Sequence, residues 1–296
     1  MASHEHRSRV SRPEIGKSKS TKVYVPSEVE VNNMTQDVNV AHTHHLESYL
    51  SFDDRHAVYK PLLDYIDSSF AVPVDTRGKA VLEIGSAAGA FLRWLKDTCR
   101  YEFGEMKGVD PDEAAGAYSP EGTFVPGSAL NLPFEDDSFD FVFMVSVLHH
   151  LVGRSLKHTK NNWNVALAEA CRVTKPDGHV LVHEGLAVRH RASQSAIFLL
   201  TSLLARIRVG IPLFHLEVGE KLAFLTPGDL STLVRSMEPT DLVLFSTGKR
   251  PWGREFCDAP SLGQVWRFLT CNAVAVLNVK KSADLGSVFP VQVYTQ

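Results

Sequence analysis

A short apolar segment that ends in a glycine-rich turn constrains this chain more than any other feature. Residues 81–89 read Val-Leu-Glu-Ile-Gly-Ser-Ala-Ala-Gly, and an apolar helical pattern follows over residues 90–95. A strand that stops at a glycine turn before a helix presents backbone N–H groups at the carboxyl end of a parallel sheet. Open α/β sheets bind their ligands at that edge. The segment therefore predicts both a fold class and the place of a ligand site.

The spacing within this turn differs from that of dinucleotide-binding enzymes. Their G-x-G-x-x-G motif needs a central glycine so that a pyrophosphate can approach the backbone. Here Ala87 lies between Gly85 and Gly89, and Glu83 precedes the first glycine. An acid beside the turn suits a ligand with positive charge better than a pyrophosphate. A nicotinamide-dependent oxidoreductase is therefore the weaker alternative.

Strand and helix patterns alternate after residue 79, which favours a parallel sheet with crossover helices. The predicted strands cover residues 80–84, 106–110, 123–125, 139–145, 179–183, 242–245 and 273–279. Helical spacing predicts a helix over residues 163–173. The segment Thr226-Pro227-Gly228-Asp229 predicts a capped helix start, because it combines a cap residue, a proline and an acid that completes a capping box.

Further motifs follow the glycine turn in a fixed order. They read Gly-Val-Asp-Pro-Asp at 108–112, Gly-Ser-Ala-Leu-Asn-Leu-Pro-Phe at 127–134, Asp-Ser-Phe-Asp-Phe-Val at 137–142, Val-Leu-His-His-Leu at 147–151, and Glu-Ala-Cys-Arg-Val-Thr-Lys-Pro-Asp-Gly at 169–178. With the turn, these blocks resemble the motifs of class I S-adenosylmethionine (SAM) methyltransferases over roughly residues 79–184. The resemblance implies a Rossmann-like α/β fold with a seven-stranded sheet, helices on both faces and an antiparallel last strand. It also implies SAM as the cofactor.

The resemblance assigns cofactor-binding roles around the glycine turn. It implies that Glu83 serves the methionyl ammonium group, while Gly85 and Gly89, with Ser86 and Ala87 between them, let the backbone approach the ligand. Ala87 replaces the middle glycine of the family motif. The turn must therefore adopt a conformation that accommodates a β-carbon.

Further cofactor contacts are implied beyond the turn. Asp110, followed by Pro111, would accept both ribose hydroxyls, and the carbonyl of Val145 would face the ammonium group. The remaining implied contacts surround the adenine and come from Ser128, Ala129 and Leu130. Ser128 stands where the family commonly has an acid, so its contact with the adenine amino group would involve a hydroxyl or a water molecule.

Two adjacent histidines follow the fourth predicted strand. The resemblance places His149 and His150 near the transferred methyl group, and His150 is the candidate catalytic base for a hydroxyl acceptor. The alternative is that either histidine only braces the loop. No acid follows this strand where magnesium-dependent catechol-type enzymes hold their metal, and no N/D-P-P-Y motif follows it. We therefore expect no metal and a small-molecule acceptor.

Composition narrows the class of partner. The net charge is −3, which disfavours a nucleic-acid-binding face. The four cysteines are scattered without a C-x-x-C pair, which favours a reduced, cytoplasmic setting. No apolar run reaches the ~18 residues of a transmembrane span. A monomer or a homodimer is expected.

The sequence predicts one folded domain with two unusual parts. Residues 1–45 have the composition of a disordered tail, and residues 46–296 form the methyltransferase domain, beginning with an amphipathic helix over 53–70. An insertion over about 188–225 is expected to act as a lid. Its apolar run at 195–205 is flanked by arginines. It indicates either a helix packed over the sheet or a cap that receives an apolar substrate or touches a membrane surface.

The predicted function is methyl transfer from SAM to a small, lipophilic acceptor at oxygen, carbon or nitrogen. The alternative is a catalytically silent module that binds SAM and regulates a partner. The glycines and both cofactor acids favour the enzyme.

Overall fold

A computed structural model describes most of the region that carries the motifs. It describes residues 76–98, 102–210, 219–237, 240–248, 270–280 and 292–295. The predicted tail and the predicted helix over 53–70 lie outside these residues, as does the part of the lid over 211–218. Within the described parts, no helix is both long and apolar enough to cross a membrane.

Eight strands and four α-helices make up the described fold. The strands are β1 (Val81–Ile84), β2 (Met106–Asp110), β3 (Phe124–Pro126), β4 (Phe139–Val145), β5 (Thr174–Val188), β6 (Thr240–Gly248), β7 (Thr270–Val279) and β8 (Gln292–Thr295). The helices are α1 (Ala90–Thr98), α2 (Leu156–Val173), α3 (Arg191–Arg206) and α4 (Pro227–Arg235). Short 3₁₀ turns cover Glu113–Tyr118 and Leu148–His150.

The strands form one mixed sheet in the order β3-β2-β1-β4-β5-β7-β6-β8. The pairs from β3 to β5 are parallel, and β7 is antiparallel to both β5 and β6. The predicted α/β class and the antiparallel seventh strand are confirmed. The eighth strand was not predicted; it pairs in parallel with β6 at the sheet edge.

Four predicted elements were too short, because α2, β5, β6 and β7 all extend beyond their predicted bounds. Helix α2 begins at Leu156 rather than at 163, because Ser155 caps it by accepting the backbone N–H of His158. Strand β5 extends beyond 179–183 in both directions. Thr174 pairs with β4 at one end, and Val188 pairs with β7 at the other. Pairing partners distant in sequence decide such boundaries, and local patterns do not contain them.

Helices cover both faces of the sheet. On one face the core joins β1 residues Leu82 and Ile84 with Trp163 of α2 and Leu230 of α4. On the other face Phe91 of α1 packs edge-on against Phe143 of β4, with ring centroids 5.0 Å apart. Apolar side chains thus fill both sides of the central strands, as expected for a parallel sheet buried on both faces.

The predicted capping box at the start of α4 is confirmed. The side chain of Thr226 accepts the backbone N–H of Asp229, and Asp229 accepts that of Thr226. Asp229 also binds Lys160 of α2 at 2.7 Å and Gln194 of α3 at 2.7 Å. Burial alone would raise the pKa of Asp229, but these hydrogen bonds hold it below its ordinary value. One carboxylate therefore joins three helices.

One arginine joins two of the segments that carry sequence motifs. Arg172 of α2 forms ion pairs with Glu169 at 2.7 Å and with Asp136 at 2.8 Å. The same guanidinium donates to the carbonyls of Leu132 and Phe134. The motifs over 127–142 and 169–178 are thus held together by one arginine, and this fixes the segment that leads into β4.

The acid sensitivity of the fold should depend on a partly buried histidine. His179 of β5 stacks on Phe141 at 5.6 Å, and its Nε2 atom lies 3.4 Å from the Asn278 amide nitrogen. Burial lowers the pKa of His179 to about 4, although Asp177 opposes the shift. Because the folded pKa lies below the unfolded value of about 6.5, the unfolded chain binds more protons between those values. This contribution to stability is therefore complete above pH 6.5 and is lost as the pH falls towards 4.

The unfolding free energy of wild type should fall between pH 6.5 and pH 4. We predict that this fall is smaller by about 1–2 kcal/mol in His179→Gln. Urea unfolding at several pH values in this window measures it. His158 is exposed, so His158→Gln is the matched control, and its unfolding free energy should change with pH as that of wild type does. Equal slopes for wild type and His179→Gln would contradict the prediction.

Candidate functional site

The glycine turn after β1 is bonded to the end of β2. The backbone N–H groups of Gly85 and Ser86 both donate to the carbonyl of Val109, at 2.8 and 3.1 Å. Gly85 has φ +72°, and a β-carbon at this position would lie 2.4 Å from a methyl carbon of Val147. A glycine is therefore required here for both conformation and space. The turn brings the carboxyl ends of β1, β2 and β4 together.

Ala87 adopts the conformation that the family motif gives to a glycine. Its φ is +43°, in the left-handed region, where a β-carbon costs about 1–2 kcal/mol. Its backbone N–H donates to Asp110 Oδ2 at 2.9 Å, a charge-assisted bond that offsets this cost. The turn thus accommodates the β-carbon of Ala87 with the help of the neighbouring carboxylate.

Asp110 is fixed at the end of β2 by two backbone groups. Oδ2 accepts from Ala87, and Oδ1 accepts the N–H of Asp112 at 3.0 Å. A carboxylate offers about four acceptor positions, so these bonds are compatible with accepting ligand hydroxyls as well. Pro111 follows directly and is half-buried. The acid predicted to meet a ribose is therefore held rigidly beside the glycine turn.

Two more predicted residues are buried beneath the turn. Glu83 lies in β1, in register with Gly108 of β2 and Phe143 of β4. Ser86 is also buried, and its Oγ atom has no hydrogen-bond partner among the described residues. A β-carbon on Gly108 would lie 2.6 Å from the Ser86 side chain, so this glycine makes room for it.

The segment after β3 reaches the same edge of the sheet. Gly127 donates its N–H to the carbonyl of Asp110 at 3.1 Å, and Ser128 Oγ accepts the N–H of Leu130 at 3.2 Å. Ala129 and Leu130 are both buried, and their side chains belong to the main core. The structure therefore places Ser128 beside Asp110, with Ala129 and Leu130 packed below it.

A strained turn follows β4. Val145 is half-buried and pairs with His183 of β5, and Ser146 has φ +55°. The N–H of Ser146 donates to the carbonyl of His183 at 2.7 Å. Burial lowers the pKa of His183, although the adjacent Glu184 opposes the shift. His183 is thus neutral at pH 7.

His149 is held by a buried carboxylate. Its Nδ1 atom lies 2.8 Å from Oε2 of Glu184, whose other oxygen accepts the N–H of Leu148 at 2.7 Å. Glu184 is completely buried at the end of β5. The carbonyl of His149 also accepts the N–H of Ala223 at 3.2 Å. These bonds support a bracing role for His149.

His150 faces a second buried carboxylate. Its Nδ1 atom lies 3.5 Å from Oε1 of Glu220, and the exposed fractions of the two side chains are 16% and 4%. The rings of His149 and His150 lie 4.1 Å apart. A histidine that is partly open to solvent and faces a buried acid has the arrangement of an oriented proton acceptor.

Sequence reasoning missed both acids that face the histidines. Glu184 could have been found, because it directly follows the predicted fifth strand, at the edge where ligands bind. Glu220 lies inside the predicted lid, and no local pattern distinguishes it. The described structure brings all the predicted site residues to the carboxyl edge of the sheet or to the layer directly beneath it.

Comparison with known proteins agrees with this architecture. A family model described as a methyltransferase domain matches residues 82–182. A phthiotriol/phenolphthiotriol dimycocerosates methyltransferase from Mycobacterium ulcerans is 32% identical over 117 residues, which are 38% of this chain and 39% of that protein. An uncharacterized methyltransferase from Mycobacterium avium is 34% identical over 107 residues, or 34% of this chain and 37% of that protein. The chain thus matches less than half the length of these curated relatives.

A solved structure has the same fold. It is a putative sarcosine dimethylglycine methyltransferase from Galdieria sulphuraria, with a TM-score of 0.51 and 16% identity, covering 76% of this chain and 86% of that chain. Fold, motif order and family match agree. Residues 82–182 thus match a methyltransferase domain, in agreement with the resemblance to SAM-dependent enzymes in the sequence.

The residues at the edge of the sheet fit this cofactor. Gly85 and Gly89 place no side chains at the two ends of the turn, and Asp110 and Glu83 place two acids beside it. The buried hydroxyl of Ser86 lies in the same turn. A ligand with a ribose and an ammonium group matches two acids better than a pyrophosphate does.

We predict that Asp110→Ala lowers the unfolding free energy of the ligand-free protein by about 1–3 kcal/mol, because two backbone donors lose a charged acceptor. Thermal unfolding measures this effect. Asp112→Ala is the matched control and should have a smaller effect, since its carboxylate accepts one exposed N–H. Equal melting temperatures for Asp110→Ala and wild type would show that Asp110 does not fix the turn.

Proposed function

We propose that this chain catalyses methyl transfer from SAM to a hydroxyl group of a small, lipophilic acceptor. The observation that carries the proposal is the pairing of His150 with buried Glu220 directly after β4, next to the glycine turn. Val147 links the two parts. Its side chain contacts the position of Gly85, and its carbonyl accepts the N–H of His150 at 3.1 Å.

The chain's own residues would bind and orient the cofactor. Asp110 would accept the ribose hydroxyls, and Glu83 would compensate the charge of the ammonium group together with the carbonyl of Val145. The glycine turn would supply backbone contacts through Ser86 and Ala87, and Ser128 would meet the adenine. SAM, when bound, supplies an electrophilic methyl group on a sulfonium. The protein's task is then to exclude water and to align the acceptor, which can contribute roughly 7–11 kcal/mol.

His150 would act as the general base. Its Nδ1 atom lies 3.5 Å from Oε1 of Glu220, and we assign the proton of the acceptor hydroxyl to Nε2, the other ring nitrogen. His150 would hold that proton as an imidazolium cation, while the cofactor would supply the methyl group and leave as the neutral thioether S-adenosylhomocysteine. The Glu220 carboxylate stabilises that cation and fixes the ring. Such a base typically contributes 10²–10⁴-fold to the rate.

The acceptor class follows from two kinds of support. A hydroxyl acceptor needs a base, whereas a carbon or amine acceptor depends more on alignment alone. The M. ulcerans relative is named for phthiotriol and phenolphthiotriol dimycocerosates, and a triol is a compound with hydroxyl groups. Phe224 of the insertion is buried with its ring 5.7 Å from that of His149, which supports a lipophilic molecule rather than a polar one.

Cofactor binding tests the first half of the proposal. Calorimetry should show that SAM and S-adenosylhomocysteine bind more tightly than NAD. Asp110→Asn should weaken SAM at least about tenfold, the usual scale for losing hydrogen bonds to a charged group. Asp112→Asn should have little effect. Tighter binding of NAD than of either SAM compound would contradict the proposal, and SAM binding without turnover of any acceptor would favour the regulatory module.

We predict that His150→Ala lowers turnover of a hydroxyl acceptor by at least ~10², while SAM affinity stays within about threefold. An imidazole base gives an acidic limb in the pH–rate profile, and this limb should disappear. Glu220→Gln should shift the limb and lower turnover less, because it acts through His150. His158→Ala is the matched control. A loss of turnover below about tenfold, or one explained by lost SAM binding, would make His150 a structural residue.

A further inference from the structure

Helix α3 exposes the side chains that helices usually bury. Its buried residues are Gln194, Phe198 and Thr201. Leu199 is 66% exposed, Leu203 is 56% exposed and Ile207, which follows the helix, is 56% exposed. Gln194 and Thr201 thus face the protein, whereas Leu199, Leu200 and Leu203 face solvent, unlike the usual arrangement of a surface helix.

The inward polar residues show that this orientation is fixed. Gln194 donates to the carbonyl of Phe224 at 2.9 Å and to Asp229 Oδ2 at 2.7 Å. Thr201 donates to the carbonyl of Leu222 at 3.1 Å and accepts its N–H at 3.3 Å. Rotating the helix to bury its leucines would break these four bonds and leave buried polar groups unpaired. The outward apolar face is therefore a property of the fold.

The exposed apolar residues form a continuous stripe. At 100° per residue, the exposed positions fall within an arc of about 100° on the helix surface. They are Ala192, Ala196, Leu199, Leu200, Leu203 and Ile207. Val209, 43% exposed, continues the stripe beyond the helix. We name these seven residues the α3 stripe. A contiguous apolar patch of this kind on a folded chain marks a contact surface.

The charge around the α3 stripe has one sign. Exposed arginines border it at Arg189, Arg191, Arg206 and Arg208. The sequence contains no acid from residue 185 to residue 216. Asp229, which accepts from Gln194 of α3, and Glu220, which faces His150, have side chains only 8% and 4% exposed. Among the described residues, the outer surface of α3 therefore combines apolar side chains with positive charge that no acid offsets in an ion pair.

We propose that the α3 stripe docks the protein on an anionic membrane surface. An interfacial helix inserts its apolar face between lipid headgroups while its cationic flanks meet their phosphates. The positive border favours lipid over a second copy of the chain, because two copies meeting through this face would bring eight arginines together. This inference goes beyond methyl transfer and concerns where the protein works.

The position of α3 links this surface to the candidate site. Its inner residues bind the segment over 222–224, and that segment reaches the histidines through Ala223, which donates to the carbonyl of His149. The ring of Phe224 lies 5.7 Å from that of His149. A lipophilic acceptor dissolved in the bilayer would thus meet the protein on the side where the histidines lie.

Vesicle flotation tests the proposal with the full chain and without SAM. Wild type should float with vesicles of phosphatidylcholine and phosphatidylglycerol in equal parts, and far less with phosphatidylcholine alone. Raising the salt should weaken binding. Leu199→Ser/Leu203→Ser should weaken it at least about tenfold. Arg206→Gln/Arg208→Gln should weaken it about tenfold on the anionic vesicles only.

The matched controls remove exposed apolar or positively charged side chains outside the α3 stripe. Tyr118→Ser removes an exposed apolar side chain from the turn after β2, and Lys96→Gln/Lys157→Gln removes two exposed positive charges from α1 and α2. Both controls should bind vesicles like wild type. Thermal unfolding verifies that every variant is folded. As a second measurement, the tryptophan introduced by Leu203→Trp should add fluorescence whose emission maximum moves to shorter wavelength when anionic vesicles are added.

Several outcomes would overturn the proposal. They are failure of wild type to float with anionic vesicles, unchanged flotation of the leucine variant, and equal weakening by the controls. A wild-type dimer that the leucine variant converts to a monomer, with unchanged flotation, would identify a second copy as the occupant. Because flotation needs neither cofactor nor turnover, its failure would leave the proposed methyl transfer standing.

Discussion

The attachment of the glycine turn to the end of β2 is the interaction on which the candidate site depends. Two N–H groups of the turn bind the carbonyl of Val109, and a third binds Asp110. Gly85 allows β1 and β4 to approach, since a β-carbon would collide with Val147. Without these bonds the carboxylate, the turn and the loop after β4 would have no fixed relation. The site is therefore built by backbone pairing before any ligand contact is made.

Two histidine–glutamate pairs extend this arrangement to the acceptor side. They differ in their surroundings. One oxygen of Glu184 accepts the backbone N–H of Leu148 and the other contacts Nδ1 of His149, so this pair braces the loop. Glu220 comes from the insertion and faces His150 at 3.5 Å. One insertion thus supplies the acid that faces the candidate base, and its helix α3 carries the apolar outer stripe.

Much of the fold could be predicted because its signals are local. The glycine turn, the capping box at Thr226 and the strand–helix alternation are all contained in short segments of sequence. The early start of α2, the length of β5 and the presence of β8 could not be predicted, since each depends on partners distant in sequence. Ala87 is intermediate: the sequence showed that its turn must accommodate a β-carbon, and the structure showed that Asp110 helps it to do so.

The sequence by itself determined the class of fold, and it predicted the edge of the sheet where a ligand would bind and the acids that would meet SAM. These properties follow from the order and spacing of residues within single strands and turns. Only the tertiary structure decided that His150 faces Glu220 and that α3 turns its leucines outward. The reason is physical: the apolar composition of α3 is equally compatible with burial, and only the hydrogen bonds of Gln194 and Thr201 select the exposed orientation.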